Sequence, residues 1–284
     1  MRDKLQGLVA QLRFHGMAAA LDTEIERAER EVTPASELLY RLLCAEAASR
    51  RQRSLAYRLS QANLPWPWTL DTFPFERQPS VNKAQIKSLA ELEFLRRADN
   101  ILLIGPPGTG KTGIAIGLLR EACLNGYRGC FYSAQALLDE LYASLADRST
   151  ARLLKRLSRM QPLLIDELGY LSLRPEQINA FFRLMDERYN RVSTIITTNL
   201  DVNDWYELFQ KKPLVDALLD RLQHHCITIR IDGPSLRSPE PRAPVPPASN
   251  QPPAPGRHRR SQTGKTVPAP TPQLSQAHTT ETSS

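Results

Sequence analysis

One eight-residue segment constrains the fold of this 284-residue chain more than any other. It is rich in glycine and ends in lysine and threonine: Gly105, Pro106, Pro107, Gly108, Thr109, Gly110, Lys111 and Thr112. The apolar run 101–104 precedes it as a predicted strand, and residues 113–124 follow with the apolar spacing of a helix. This order turns backbone N–H groups and a helix N-terminus towards phosphate. The segment therefore predicts a P-loop that binds a nucleoside triphosphate, with Lys111 at the β- and γ-phosphates and Thr112 on Mg²⁺.

A second apolar strand, predicted over 162–166, ends in two adjacent acids, Asp166 and Glu167. At the carboxyl edge of a parallel sheet, Asp166 is placed to hold the Mg²⁺ shell. Glu167 is placed to orient a water molecule for attack on the γ-phosphate. Because two carboxylates beside a buried strand are costly unless a cation or water uses them, the pair favours hydrolysis. The alternative is an acidic helix cap after a core strand.

Two later residues complete the predicted catalytic set. Asn199 follows the predicted strand 194–198, where a polar side chain can contact both γ-phosphate and the attacking water; alternatively, it only ends the strand. Arg221 lies in an otherwise apolar helix and suits an arginine finger inserted into a neighbouring subunit. The alternative is a local surface pair with Asp220. The finger interpretation predicts that activity requires an oligomer.

The chain divides into three predicted parts. Residues 1–68 form a small N-terminal helical domain, with Thr33 as the expected N-cap of its second long helix and Pro34 at the first helical position. Strands and helices alternate over 69–232, which predicts an α/β domain with a parallel sheet covered on both faces. Residues 233–284 hold twelve of the 22 prolines and predict a disordered, proline-rich tail.

The net charge of +7 favours a polyanionic partner. Two basic clusters are candidate DNA contacts, one on the second N-terminal helix and one before the Asp-Glu strand. They are Arg50, Arg51, Arg53 and Arg58, and Arg152, Lys155, Arg156 and Arg159. Such clusters contact phosphate without reading bases, so the predicted DNA binding is independent of sequence. The alternative for each cluster is a solvated helix face.

Cysteine usage and hydropathy predict a soluble cytoplasmic protein without a membrane partner. The four cysteines are scattered, with no Cys-x-x-Cys pair, which is typical of reduced thiols. The first twenty residues lack the apolar core of a signal peptide. No apolar run reaches the roughly 20 residues that span a bilayer.

Together these motifs resemble the IstB-like ATP-binding proteins, AAA+ ATPases encoded beside a transposase in insertion sequences and related to DnaC-like helicase loaders. The resemblance runs from about residue 5 to 237 and includes the stretch 70–75. Its most specific motifs are Asp-Glu-Leu-Gly-Tyr at 166–170 and Asp-Arg-Leu-x-His-His at 220–225. It implies an AAA+ core with sheet order 5-1-4-3-2, ATP and Mg²⁺ as cofactors, and a homo-oligomer on DNA. That oligomer would recruit or stimulate the partner transposase.

The resemblance carries the roles of Lys111, Thr112, Asp166, Glu167, Asn199 and Arg221 over to matching positions. Two positions depart from the family pattern: Gly113 replaces a usual histidine, and the usual Gly-x-Ser-Tyr-Arg is Gly-Pro-Ser-Leu-Arg at 233–237. Arg237 is therefore only a candidate for a second sensor arginine. We expect a DNA-stimulated ATP hydrolase that assists transposition. The alternatives are a replicative helicase loader and a nucleotide-binding scaffold that no longer hydrolyses ATP.

Overall fold

A computed structural model describes residues 1–169 and 171–237, and the predicted disordered tail from residue 238 onwards lies outside the described residues. The helices that precede the sheet are α1 (Arg2–Gln11), α2 (His15–Glu31), α3 (Ala35–Gln61), α4 (Lys83–Ala90) and α5 (Glu93–Arg96). The strands are β1 (Asn100–Ile104), β2 (Cys130–Ser133), β3 (Leu163–Asp166), β4 (Thr194–Thr198) and β5 (Cys226–Arg230). The helices between the strands are α6 (Lys111–Leu124), α7 (Ala134–Ala146), α8 (Thr150–Leu157), α9 (Pro175–Arg188), α10 (Trp205–Phe209) and α11 (Lys212–His224).

The five strands form one parallel sheet in the order β2-β3-β4-β1-β5. Read from the other edge, this is the predicted order 5-1-4-3-2, which is confirmed. In the centre, Ile101 is opposite Ile195 of β4 on one side and Ile227 of β5 on the other. Because all strands run in the same direction, their carboxyl ends meet at one edge of the sheet.

Helices cover both faces of the sheet, as the continuous apolar runs of β1 and β3 predict. Successive residues of β1 point to opposite faces. Leu102 and Ile104 pack in the core formed with α7, α8, α9 and α11, whereas Ile101 and Leu103 pack in the core formed with α4 and α6. The alternation fixes which helices each face of β1 meets. α6, which follows the P-loop, is therefore buried along most of its length.

The N-terminal helices have a small apolar core of their own: Val9, Met17, Leu21 and Leu42. Glu46 of α3 is buried, and its Oε2 accepts the backbone N–H groups of Gly16 and Met17 at 2.8 and 3.2 Å, at the N-terminus of α2. The prediction that Thr33 caps α3 was wrong. Pro34 is the N-cap residue, without a side-chain bond, because its extended ψ of 145° delays the first helical residue to Ala35.

The end of α3 is joined to the sheet region by two hydrogen bonds. Arg58 Nε donates to the carbonyl oxygen of Cys123 at 2.8 Å. The N–H of Phe131 donates to the carbonyl oxygen of Ala62 at 2.8 Å. The described residues all belong to one compact unit, and the division at residue 68 stays a prediction. In the part of the chain described, no helix combines the length and apolar character needed to cross a membrane.

Candidate active site

The P-loop connects β1 to α6 at the carboxyl edge of the sheet. Gly108 and Gly110 have φ angles of 84° and 95°, in the left-handed region that only glycine adopts at little cost. Gly110 is the N-cap of α6, so the first N–H groups of this helix face the loop. Lys111 Nζ donates to the carbonyl oxygens of Gly105 and Pro106 at 2.7 and 2.8 Å. The ammonium group thus lies within the curve of the loop, where burial lowers the pKa of Lys111.

The first turn of α6 meets the end of β3 through Thr112 and Asp166. Thr112 Oγ1 donates to Oδ1 of Asp166 at 2.9 Å. Two ligands at adjacent corners of a Mg²⁺ octahedron, each about 2.1 Å from the ion, lie about 3 Å apart. This oxygen pair therefore fits a Mg²⁺ shell. Burial raises the pKa of Asp166, and the hydrogen bonds from Thr197 and Thr112 oppose that effect.

A cation here would need more oxygen ligands than the protein supplies. Among the described residues, no group of three or more His, Cys, Asp or Glu side chains is placed to hold a metal ion. Mg²⁺ keeps several water molecules and is often completed by substrate phosphates. The donor set therefore fits a cation that arrives with a nucleotide.

Glu167 follows directly after Asp166, and its side chain is exposed to the cleft beside Lys111 and Thr112. Its φ of 59° lies in the left-handed region, which residues other than glycine rarely adopt. The backbone N–H of Glu167 donates to Oγ1 of Thr197 at 2.9 Å. The structure thus brings Glu167, Lys111, Thr112 and Asp166 together, as expected for parallel strands that end at one edge.

The cleft beside the P-loop has a volume of about 350 Å³. Besides P-loop residues and Glu167, its walls include side chains that the sequence analysis gave no site role or left open: Trp68, Thr72, Phe73, Pro74, Leu236 and Arg237. Trp68 had been placed at the end of the predicted N-terminal domain, and the motif at 70–75 carried no role. The only available signal was aromatic residues beside prolines in an otherwise polar connection. Most of the recess they form is lined by apolar side chains.

One wall of the cleft comes from residues 233–237, which had been assigned to the tail. The N–H of Leu236 donates to the carbonyl oxygen of Gly108 at 2.8 Å. Gln78 Nε2 donates to the carbonyl oxygens of Thr109 and Pro234, each at 3.0 Å. Gln78 is fully buried, so this side chain ties the P-loop to the segment after β5. Arg237 then lines the cleft near Lys111.

Asn199 lies just past the end of β4, at the same edge as Glu167. Its amide group occupies the space that a side chain at Gly169 would need, and the residue is exposed. It is not among the residues that line the cleft. Asn199 therefore lies beside Gly169, two residues after Glu167, and outside the cleft lining.

Arg221 is not brought to the P-loop of its own chain. Its Nη1 lies 2.8 Å from Oδ1 of Asp186, and its guanidinium carbon lies 5.7 Å from the ring centroid of Tyr189. It lies close to Asn100 and Thr194, which begin β1 and β4, so it is at the amino edge of the sheet. Any action of Arg221 on a P-loop would have to be on that of another subunit.

The first predicted basic cluster is partly used within the protein. Arg50 and Arg53 contact Oε1 of the buried Glu46 at 2.7 and 3.3 Å. Arg58 is bonded to the end of α6, whereas Arg51 is exposed. Arg50 and Arg53 thus pair with a carboxylate of their own helix, and both stay exposed, as Arg51 does.

The second basic cluster lies on α8. Leu153, Leu154 and Leu157 of this helix are buried. The opposite face presents Arg152 and Lys155, with Arg159 just beyond the helix end, and all three are exposed. The fourth member, Arg156, bonds Oε1 of Glu140 at 2.6 Å and the Tyr132 hydroxyl at 3.1 Å. Arg156 is exposed too, so all four cations reach solvent.

Known proteins match this chain over almost all of the described region. The family of IstB-like ATP binding proteins matches residues 7–243. The chain belongs to this family. The ATP-binding protein of insertion sequence IS21 from Pseudomonas aeruginosa is 37% identical over 239 residues, which are 84% of this chain and 90% of that protein. The corresponding protein of IS5376 from Geobacillus stearothermophilus is 35% identical over 242 residues, 85% of this chain and 96% of that protein.

The fold has a solved counterpart in the crystal structure of the DnaC helicase loader. That structure matches with a TM-score of 0.51 and 24% identity, and covers 59% of this chain and 98% of its own. Likeness at this identity establishes the fold alone. The predicted AAA+ architecture and the predicted family are therefore both confirmed.

Proposed function

We propose that this chain is an ATP hydrolase that assembles as an oligomer on DNA and recruits or stimulates the transposase of its insertion sequence. The observation that carries the proposal is the convergence of Lys111, Thr112, Asp166 and Glu167 on one cleft. Membership of an ATP-binding family supports ATP as the ligand. The two insertion-sequence relatives support a role in transposition. A helicase-loader role has only the likeness in fold.

In the proposed complex, the phosphates of ATP follow the P-loop and the base enters the recess of Trp68, Phe73 and Leu236. Lys111 exchanges its bonds to two loop carbonyl groups for phosphate oxygens. Thr112 and Asp166 hold Mg²⁺, which when bound neutralises charge on the phosphates. The aromatic recess binds the base by stacking, which adds affinity independently of the phosphates.

Hydrolysis in this cleft needs a group that accepts a proton from the attacking water. Glu167 is exposed beside the P-loop and is placed to orient a water molecule and accept its proton. The water oxygen forms a bond to the γ-phosphorus, and the bond from that phosphorus to the β–γ bridging oxygen breaks. ADP and inorganic phosphate leave. Asn199, at the same edge, is proposed to help orient the water.

Residues away from the cleft are proposed to act on a neighbouring subunit and to contact DNA. Arg221 lies at the amino edge of the sheet, so we propose that it stabilises charge on the phosphoryl group in a neighbouring subunit. The exposed cations Arg152, Lys155 and Arg159 are proposed to contact DNA phosphates without base readout. All four cysteines are free, which suits the reducing cytoplasm, where we propose the protein acts.

The test is ATP hydrolysis by the purified full chain over a concentration series, with and without duplex DNA. We expect the rate per subunit to rise with protein concentration and with DNA. The control is Lys111→Ala, which should remove both ATP binding, read by Trp68 fluorescence, and turnover. A rate per subunit that changes neither with protein concentration nor with DNA would contradict assembly on DNA. Binding to a replicative helicase in place of the transposase would favour the loader, and binding of ATP without turnover would favour the scaffold.

A further inference from the structure

Thr197 lies on β4 beside β3, and its side chain is completely buried. Its hydroxyl group donates to Oδ1 of Asp166 at 2.6 Å. The hydroxyl oxygen also accepts the backbone N–H of Glu167 at 2.9 Å. One hydroxyl group has a proton to donate and lone pairs to accept with, so both bonds exist together. A single side chain of the neighbouring strand thus contacts both acids of the cleft.

The bond to Glu167 is made where the sheet ladder ends. β3 pairs with β4 as far as Ile165, and Glu167 then turns away with its φ of 59°. At this turn, the N–H of Glu167 bonds the Thr197 hydroxyl, and the N–H of Leu168 bonds the Thr197 carbonyl oxygen at 2.9 Å. A left-handed conformation at a residue with a β-carbon persists only when its surroundings hold it. Thr197 therefore holds the backbone in the form that exposes Glu167 to the cleft.

The bond to Asp166 fixes the orientation of its carboxylate. Oδ1 accepts from Thr197 on one side and from Thr112 on the other, at 2.6 and 2.9 Å. Within residues 1–169 and 171–237, Oδ2 accepts no hydrogen bond. The carboxylate cannot rotate without breaking both bonds to Oδ1. Its orientation towards the P-loop is therefore set by Thr197 and Thr112 together.

From these contacts, we propose that Thr197 is a positioning residue for ATP hydrolysis, whose hydroxyl group orients Asp166 towards Mg²⁺ and Glu167 towards water. This inference rests on the proposed function. Thr197 lies behind the acids and outside the cleft lining, so it acts through them and not on ATP itself. Loss of its hydroxyl should therefore lower turnover and weaken the use of Mg²⁺ while sparing the affinity for ATP in saturating Mg²⁺.

The test compares Thr197→Val, which keeps the branched shape and removes the hydroxyl, with Thr197→Ser, which keeps the hydroxyl. Thr194→Val is the control, because it removes an equally buried hydroxyl from the other end of β4, where it bonds Arg188. For Thr197→Val, we expect kcat to fall at least about 10-fold and the KM for ATP to stay within about twofold. We expect Thr197→Ser to stay within about threefold of the wild-type kcat. Trp68 fluorescence gives the Mg²⁺ concentration for half-maximal ATP binding, which Thr197→Val should raise several-fold.

Three outcomes would overturn the inference: a wild-type kcat in Thr197→Val, no rescue by serine, or an equal loss in Thr194→Val. The last would show that any buried hydroxyl on β4 matters only for stability. The proposed function fails separately, if the wild-type protein binds ATP without turnover. In that case the role of Thr197 can still be tested by the Mg²⁺ concentration for half-maximal ATP binding. An unchanged value in Thr197→Val would show that the hydroxyl group of Thr197 does not orient Asp166.

Discussion

Each of the two edges of the sheet buries a cation, but the surroundings of the two cations differ. At the carboxyl edge, Lys111 lies in a loop that opens on a cleft, beside Asp166 and Glu167. At the amino edge, Arg188 is 1% exposed and donates to the carbonyl oxygens of Leu157, Met160 and Ser193 and to the Thr194 hydroxyl. One cation faces a space where phosphate fits, and the other is fully enclosed by neutral acceptors within the described chain. The cavity beside Arg188 has a volume of about 10 Å³, against about 350 Å³ beside Lys111, so burial of charge identifies a reaction site only where the adjoining space admits a ligand.

The largest expected effect links the two edges. Arg221→Ala should lower kcat by about 10³-fold, the lower end for arginine fingers, with ATP affinity unchanged, because Arg221 lies far from its own cleft. Mixing Arg221→Ala with Lys111→Ala protein should restore part of the activity, since one supplies an intact P-loop and the other an intact finger. Steady-state hydrolysis of the mixtures measures this. Arg183→Ala, which removes an exposed arginine paired with Glu187 on α9, is the matched control. A mixture no faster than the sum of its components would contradict action between subunits.

The next effect is confined to the carboxyl edge. Glu167→Gln should lower kcat by about 10²-fold, the lower end for loss of a general base, because an amide cannot accept the proton of the attacking water. ATP should still bind, since glutamine has nearly the same size and, within residues 1–169 and 171–237, the Glu167 side chain makes no hydrogen bond to the P-loop. Single-turnover hydrolysis and Trp68 fluorescence separate the two steps. Unchanged turnover would mean that another residue orients the water.

At the amino edge, the corresponding change affects stability and not chemistry. Burial lowers the pKa of Arg188 to about 9, so the group is charged at neutral pH. Arg188→Met should lower the free energy of unfolding by about 3 kcal/mol, because it leaves buried carbonyl groups without donors. Urea unfolding measures the loss, and Arg183→Met on the exposed face of α9 is the control. Weaker ATP binding by the folded variant would contradict the separation of the two edges.

The sequence predicted contacts between strands and helices better than contacts made by the connections between them. The meeting of Thr112 with Asp166 could be expected, because strand–loop–helix order and parallel strands bring these segments to one edge. Trp68, Gln78 and Leu236 could not, because they lie in connections without regular structure, and two of them act on backbone groups of the P-loop. The side chain of Gln78 carries no local pattern that points across 31 residues to Thr109.

Contacts of charged residues were equally hard to foresee. Arg50 and Arg53 were predicted as a DNA surface, yet both contact Glu46, whose burial depends on how α2 crosses α3. Spacing on α3 places Arg50 four residues from Glu46, but it does not show that α2 buries that carboxylate. By contrast, the apolar spacing over 113–124 correctly predicted helix α6 after the P-loop, because helical periodicity is a local property. The division into domains at 68 and 232 remains a prediction.

The smallest expected effect concerns the partner of Arg221. Asp186 and Arg221 have side chains 59% and 35% exposed, and such pairs contribute about 0–1 kcal/mol. Asp186→Asn should therefore change the free energy of unfolding by less than about 1 kcal/mol and kcat by no more than about threefold. Arg188→Met, two residues along the same helix, provides the contrast. If Asp186→Asn lowers kcat as far as Arg221→Ala does, at unchanged stability, the ion pair is what holds the arginine for the neighbouring subunit. The amino edge would then hold part of the reaction site as well as the enclosed cation.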